Sequence, residues 1–339
     1  DFLDRPFPWL PVLPLLIYPI WAIKNGGFPP SDDLLRHVTS WSHGYDYNKI
    51  YHNLKEVIPH KSMWWAFELL TGKINSSLGL WPSVFIVQGA SYIIMSIICI
   101  ALARKLIPKT DGQAIIKQTL MVCLIISTGL FFRSTLARPE VFLTFWALSA
   151  LLLPVALWTI IGIFLMPAYW LAFIYIPAAL LLNASIKEKI SSMLAIGIVF
   201  FIFWSLYAGH EWVANIISIK TYSEGRLLPP GESKSIFGTF FSPIFIAMSG
   251  LYIFLANTNK KSRHNNIIIV IIWFMLPNQM RYSGIISTLL IILLFKALPE
   301  SKLSPQNTAL SILFAFSLVY MQMPIKEKNT DSFPNFKIP

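Results

Sequence analysis

The chain is expected to be all-α, a polytopic bundle of transmembrane helices, and three observations carry that expectation. Hydrophobic residues make up 55% of the 339 and charged ones 13%, with a mean hydropathy of +0.61. A water-soluble domain carries roughly twice that charged fraction, about 25%. Second, stretches such as 141–183 and 190–209 hold no charged side chain at all, and a helix needs about 20 apolar residues to cross a bilayer. Third, the ten-residue alternating segments of a membrane β-barrel are absent.

Taken in order, the apolar segments are 7–23, 80–103, 118–132, 141–153, 158–166, 169–182, 190–208, 236–256, 267–276, 284–295 and 308–321, about eleven spans by hydropathy. The first, embedded in the rest of the chain, is read as a span rather than a cleaved signal. Short basic loops orient the rest: Arg104, Lys105, Lys109 and Lys117; Lys187 and Lys189; Lys260, Lys261 and Arg263; Lys296 and Lys302. The excess of Lys and Arg in short loops marks the cytoplasmic side. An odd number of crossings must then lie between Glu140 and Lys187, read as three short or broken spans turning near Pro154 and Pro167; one long span plus a re-entrant piece satisfies the same parity. The whole of 1–339 forms a single transmembrane domain. Within it, 24–79 is a first extracytoplasmic loop, 209–235 an outer flap loop and 324–339 a short outer tail.

The 24–79 loop is the longest hydrophilic stretch and concentrates chemistry-bearing residues. It holds His37, His43, His52 and His60, four of the six histidines. Pro29-Pro30-Ser31-Asp32-Asp33 reads as a helix start with Ser31 at the N-cap and two carboxylates in the first turn. A helix from there sets Asp32 above Arg36 and Asp33 above His37, each at i,i+4. Farther along, the sequence from Lys61 through Trp64, Trp65, Phe67 and Glu68 reads as an amphipathic helix resting in the bilayer interface, its aromatic rings among the headgroups.

Adjacent carboxylates open two chemistries. Asp32 or Asp33 can accept a proton from a hydroxyl during group transfer, or Asp33, with or without its neighbour, can hold a divalent cation against a phosphate. Acids at a helix start also have a purely structural use, since the helix dipole favours them by about 0.3–1 kcal/mol. A second polar island, Arg133 to Glu140, sits on the same expected side. There Arg138 offers a fork of donors to a phosphate and Glu140 orients it. A third, Asn278 to Tyr282, places the lone Arg281 between two apolar segments, where a cation must be paired or wet. In the flap, Lys220, Tyr222, Glu224 and Arg226 form a polar segment able to cover a site.

Several classes are disfavoured. The net charge of +11 is scattered over short loops rather than gathered on one face, which argues against nucleic acid. Cys99 and Cys123 fall in apolar runs and read as packing residues. Nucleotide loops, His-Glu-x-x-His and Gly-x-Ser-x-Gly motifs are absent from the chain. Ionisable groups inside the spans, which a proton or ion transporter needs, are scarce. Asn75-Ser76-Ser77 matches a glycosylation sequon, a three-residue signal of low specificity.

In layout the chain resembles the glycosyltransferase-C superfamily of polytopic enzymes that use polyprenyl-phosphate sugars, including the protein mannosyltransferases and the lipid A aminoarabinose transferases. The residues that carry the resemblance are Ser31-Asp32-Asp33 in a long first outer loop, the interfacial helices after it, the Arg138-Pro139-Glu140 turn and the late Arg281-Tyr282 pair. The resemblance implies an outer-loop acid as base or site organiser, Asp32 or Asp33 here, and basic residues on the lipid phosphate, Arg138 and Arg281. Arg36, His37, His43, Glu140 and Tyr282 complete the expected substrate site. The expected function is an integral membrane glycosyltransferase of the plasma or inner membrane or the endoplasmic reticulum, acting on the extracytoplasmic or luminal face. Its partners are a polyprenyl-phosphate sugar donor and membrane lipids, its one candidate cofactor a divalent cation. The rival expectation is a non-catalytic membrane subunit, paired with a partner subunit, or a lipid or glycan flippase.

Overall fold

The computed structural model describes residues 32–40, 62, 64–106, 117, 138–210 and 293–294. Among these, every regular element is helical: α1 (Asp32–Ser40), α2 (Trp65–Leu78), α3 (Leu80–Leu106), α4 (Pro139–Leu148), α5 (Val155–Leu165) and α6 (Ile186–Ala208). Single 3₁₀ turns, Ser149–Leu151 and Met166–Ala168, extend α4 and α5, and a 3₁₀ segment, Ala172–Leu181, precedes α6. The expected segments 7–23, 118–132, 236–256, 267–276 and 308–321 lie outside the described residues, as do the flap and the tail.

Local chemistry sets the boundaries. Gly79 adopts φ 84° and separates α2 from α3, a left-handed conformation that costs glycine nothing. Pro139 occupies the first turn of α4 with Arg138 extended at its N-cap, where a missing N–H does no harm. Pro154 caps α5 in the same way. Pro177 lies inside the 3₁₀ segment; its ring and absent N–H oppose a regular α-helix there. Ser185 begins α6 with a complete capping box, its hydroxyl accepting from the Glu188 amide while the Glu188 carboxylate accepts from the Ser185 amide at 2.8 Å. Ser185→Ala should therefore fray the first turn of α6, seen as faster amide exchange at residues 186–189 with the rest of the helix unchanged.

Among the described residues two helices are long and apolar enough to cross a membrane, α3 and α6. At about 1.5 Å per residue they span roughly 40 Å and 35 Å, more than the ~30 Å hydrocarbon core. Each shows one buried stripe. On α6 it is Ser192, Ile196, Phe200, Trp204 and Ala208, a strict i,i+4 series; on α3 it includes Val84, Val87, Ser91, Met95, Ile98 and Leu102. The remaining faces are apolar and open, with Leu206 81% exposed and Ile93, Ile97, Ile198 and Ile202 each more than half exposed. A helix apolar all round suits lipid.

Between them, α4, α5 and the 3₁₀ segment run back and forth as three short passes. Trp146 and Trp158 clasp α4 to α5 across the Pro154 turn: their indoles stack at 4.2 Å, and each ring N–H donates to the other residue's backbone carbonyl at 2.8 Å. Trp158→Phe deletes one donor and should lower stability by about 1 kcal/mol, read as a drop in the melting midpoint of the detergent-solubilised chain. Beside α5, α6 follows the same direction, bonded near one end by the Thr159 and Ser192 hydroxyls and near the other by the Trp204 indole donating to the Met166 carbonyl. Lys105 Nζ donates to the Leu152 carbonyl at 2.7 Å, and Lys189 Nζ to the Leu180 carbonyl at 2.9 Å. Lysines thus satisfy carbonyls that proline-broken helices leave open. The expected turns near Pro154 and Pro167 are present. Lys117 is buried, which a lysine tolerates when its apolar stem packs and its head finds a partner.

Candidate functional site

At the end of the bundle away from Lys105 and Lys189, α1 and α2 pack on the start of α3. Leu34 and Val38 of α1, Phe67 of α2, and Val84 and Val87 of α3 form one buried cluster, with Phe142 of α4 packed against it. The Phe67 and Phe142 rings lie 5.9 Å apart. This cluster joins two motifs about a hundred residues apart in sequence: the helix opening on Asp32 and Asp33, and the Arg138-Pro139-Glu140 turn that begins α4. The helix start expected at Asp32 is observed. Arg36 also lies on α1, while His43, Arg281 and Tyr282 lie outside the described residues.

Inside this layer is a buried polar chain. Glu68 is 1% exposed and uses both carboxylate oxygens: Oε1 meets His37 Nδ1 at 2.9 Å, and Oε2 accepts the Ser62 hydroxyl. Ser62 Oγ in turn accepts the Trp64 amide at 3.0 Å, just ahead of α2. His37 is 8% exposed, with Trp64 and Phe67 set edgewise to its ring at 4.9 Å and 5.4 Å. A buried carboxylate without partners is strongly unfavourable; here a hydroxyl and an imidazole take the place of water. Two further bonds tie the helices, Thr71 Oγ1 to the His37 carbonyl at 3.4 Å and Asn75 Nδ2 to the Val38 carbonyl at 3.2 Å. Asn75 of the sequon thus serves the α1–α2 contact from within a helix.

His37, expected to meet acceptor or phosphate, holds Nδ1 2.9 Å from Glu68. The geometry corrects two expectations about the second helix. Helix α2 begins at Trp65 rather than Lys61, because Ser62 turns its hydroxyl onto the Trp64 amide instead of continuing a helical repeat. Phe67, expected among headgroups, is buried, and the half-buried Trp65 packs on Phe203 and Tyr207 of α6 at 5.4 Å and 5.8 Å. Glu68 and Ser62 are the functional-looking residues that sequence reasoning passed over. A signal existed: Trp64, Phe67, Glu68 and Thr71 share one face at i,i+3 and i,i+4 spacing, so an inward aromatic face carries the acid with it.

At the α4 turn, Arg138 Nη1 stands 3.7 Å from Glu140 Oε1, both side chains about three-quarters buried. The Tyr175 hydroxyl donates to the Glu140 carbonyl at 3.4 Å and accepts from Thr144 at 3.4 Å, linking the turn to the 3₁₀ segment. Among the described residues no group of three or more His, Cys, Asp or Glu is placed to hold a metal ion. No known family model, curated protein or solved structure matches the chain.

Proposed function

We propose that the protein is a multi-pass membrane glycosyltransferase of about eleven spans, moving a sugar from a polyprenyl-phosphate donor to a hydroxyl acceptor on the extracytoplasmic or luminal face. The observation that supports this most is the shared hydrophobic cluster that brings the Asp32–Asp33 helix and the Arg138–Glu140 turn to one end of the bundle. That end is opposite Lys105 and Lys189, whose basic loops belong on the cytoplasmic side. A carboxylate and a guanidinium at one bilayer edge suit a reaction in which a hydroxyl loses its proton and a lipid phosphate leaves with negative charge. Fixed cations stabilise such charge as it develops. Arg138 takes that role with Arg281, while Asp32 and Asp33 organise the donor, directly or through a divalent cation, or take the proton. Donors of this class carry no nucleotide, in keeping with a chain that lacks nucleotide motifs.

The test is release of polyprenyl phosphate from a panel of polyprenyl-phosphate hexoses and pentoses by the full chain in lipid nanodiscs. Asp32→Asn or Asp33→Asn should abolish turnover, and Arg138→Gln should lower it by about 10²–10³, the usual loss on removing one charge-stabilising donor. Inertness of the wild type toward every donor, or full activity of both Asn variants, would overturn the reading in favour of a non-catalytic subunit or flippase.

A further inference from the structure

The buried Ser62–Glu68–His37 chain has no role in the function as proposed, and its geometry suits more than packing. Glu68 accepts the Ser62 hydroxyl on one oxygen and stands 2.9 Å from His37 Nδ1 on the other. With Nδ1–H donating to that carboxylate, the neutral ring carries its proton on Nδ1 and its lone pair on Nε2. Trp64 and Phe67 hold the ring edgewise, and the side chain keeps a tenth of its surface open. Among the described titratable groups, Glu68 is the one in contact with it. A carboxylate holding one imidazole nitrogen so that the other can accept a proton is the arrangement of a general base. His37 lies one turn beyond Asp33 on α1, at the end of the bundle where the Arg138 turn also sits.

We infer that His37 is the proton acceptor for the incoming hydroxyl, with Glu68 and Ser62 as its positioning residues; this rests on the transferase reading and leaves Asp32 and Asp33 to organise the donor. In the step, the acceptor O–H proton passes to His37 Nε2 as the acceptor oxygen forms a bond to the sugar's anomeric carbon. The bond from that carbon to the phosphate oxygen breaks, and its electron pair leaves with the polyprenyl phosphate. The imidazolium then returns its proton to water.

Two measurements test this on the full chain in nanodiscs. Nitrogen NMR of histidine-labelled protein should find the neutral His37 ring protonated at Nδ1, and Glu68→Gln, whose amide can donate to Nδ1, should move the proton to Nε2. A wild-type ring protonated at Nε2 overturns the inference whatever the enzyme assay shows. With the polyprenyl-phosphate donor panel and a long-chain primary alcohol as acceptor, His37→Ala and Glu68→Gln should each lower kcat by about 10²–10⁴, the usual contribution of a positioned base. The KM for donor should stay near wild type, and added imidazole should partly restore His37→Ala. Wild-type kcat in both variants, while the unmodified chain transfers sugar, overturns the role of His37 and leaves the transferase standing. No release by the unmodified chain overturns both.

Discussion

Replacing Gly162 by valine should be the most disruptive single change in the described bundle. Gly162 sits on α5 beneath the Trp146 ring: a β-carbon there would lie 2.8 Å from Trp146 Cε2, nearer still to Cζ2, and 3.0 Å from Ile196 Cδ1. The Ile196 methyl can swing aside, but the indole cannot, because it is stacked on Trp158 and bonded through Nε1 to the Trp158 carbonyl. Even alanine, which gains about 1 kcal/mol of helix propensity over glycine, should come out destabilising, since overpacking costs about 1–3 kcal/mol. Valine should exceed that and part α4 from α5. Gly197, on α6, supplies the control, because a β-carbon added there would meet nothing within 4 Å: Gly197→Ala should be neutral or mildly stabilising. Melting midpoints of the detergent-solubilised variants decide it, and equal midpoints for the two alanine variants would mean that the clasp yields.

Glu68→Ala should have the second largest effect, and unlike Gly162→Val it should act at the α1–α2 end of the bundle alone. It strips the partners of both the His37 imidazole and the Ser62 hydroxyl, and each buried polar group so abandoned costs about 1–3 kcal/mol. Contacts joining α1 to α2 would then rest on the Leu34, Val38 and Phe67 packing and the bonds from Thr71 and Asn75. Faster amide exchange over 32–40, with α4 to α6 protected as in the wild type, is the expected result. Glu68→Gln should keep most of the stability, because the amide still bonds both neighbours, while losing the tautomer that the proton-transfer step needs. Separating those two losses distinguishes a structural carboxylate from one that orients a base.

Much of the bundle is legible in the chain alone. The charge-free run after Glu140, broken at Pro154 and Pro167, dictates short passes because proline denies a helix one donor and crowds the turn before it. The lysines flanking that run mark one end. What stays hidden is the company each polar side chain keeps. Glu68 looks like the wet side of an interfacial helix until α1 is laid against it, and nothing in the sequence pairs His37 with a carboxylate thirty-one residues away. Trp146 and Trp158 are twelve residues apart, and nothing in their spacing announces a clasp.

By itself, then, the sequence determined that these segments are helical, that α3 and α6 have the length and apolar surface to cross a bilayer, and where the chain must turn. Those properties follow from the backbone chemistry of proline and glycine and from the hydropathy of consecutive residues, all of which are local. Only the tertiary structure decided that the Asp32 helix and the Arg138 turn share one hydrophobic cluster, and that a nearly inaccessible carboxylate binds Ser62 and His37. Burial and hydrogen-bond partnership depend on which distant surfaces meet, and a charged side chain carries no mark in its own neighbourhood of whether it will meet water or an imidazole.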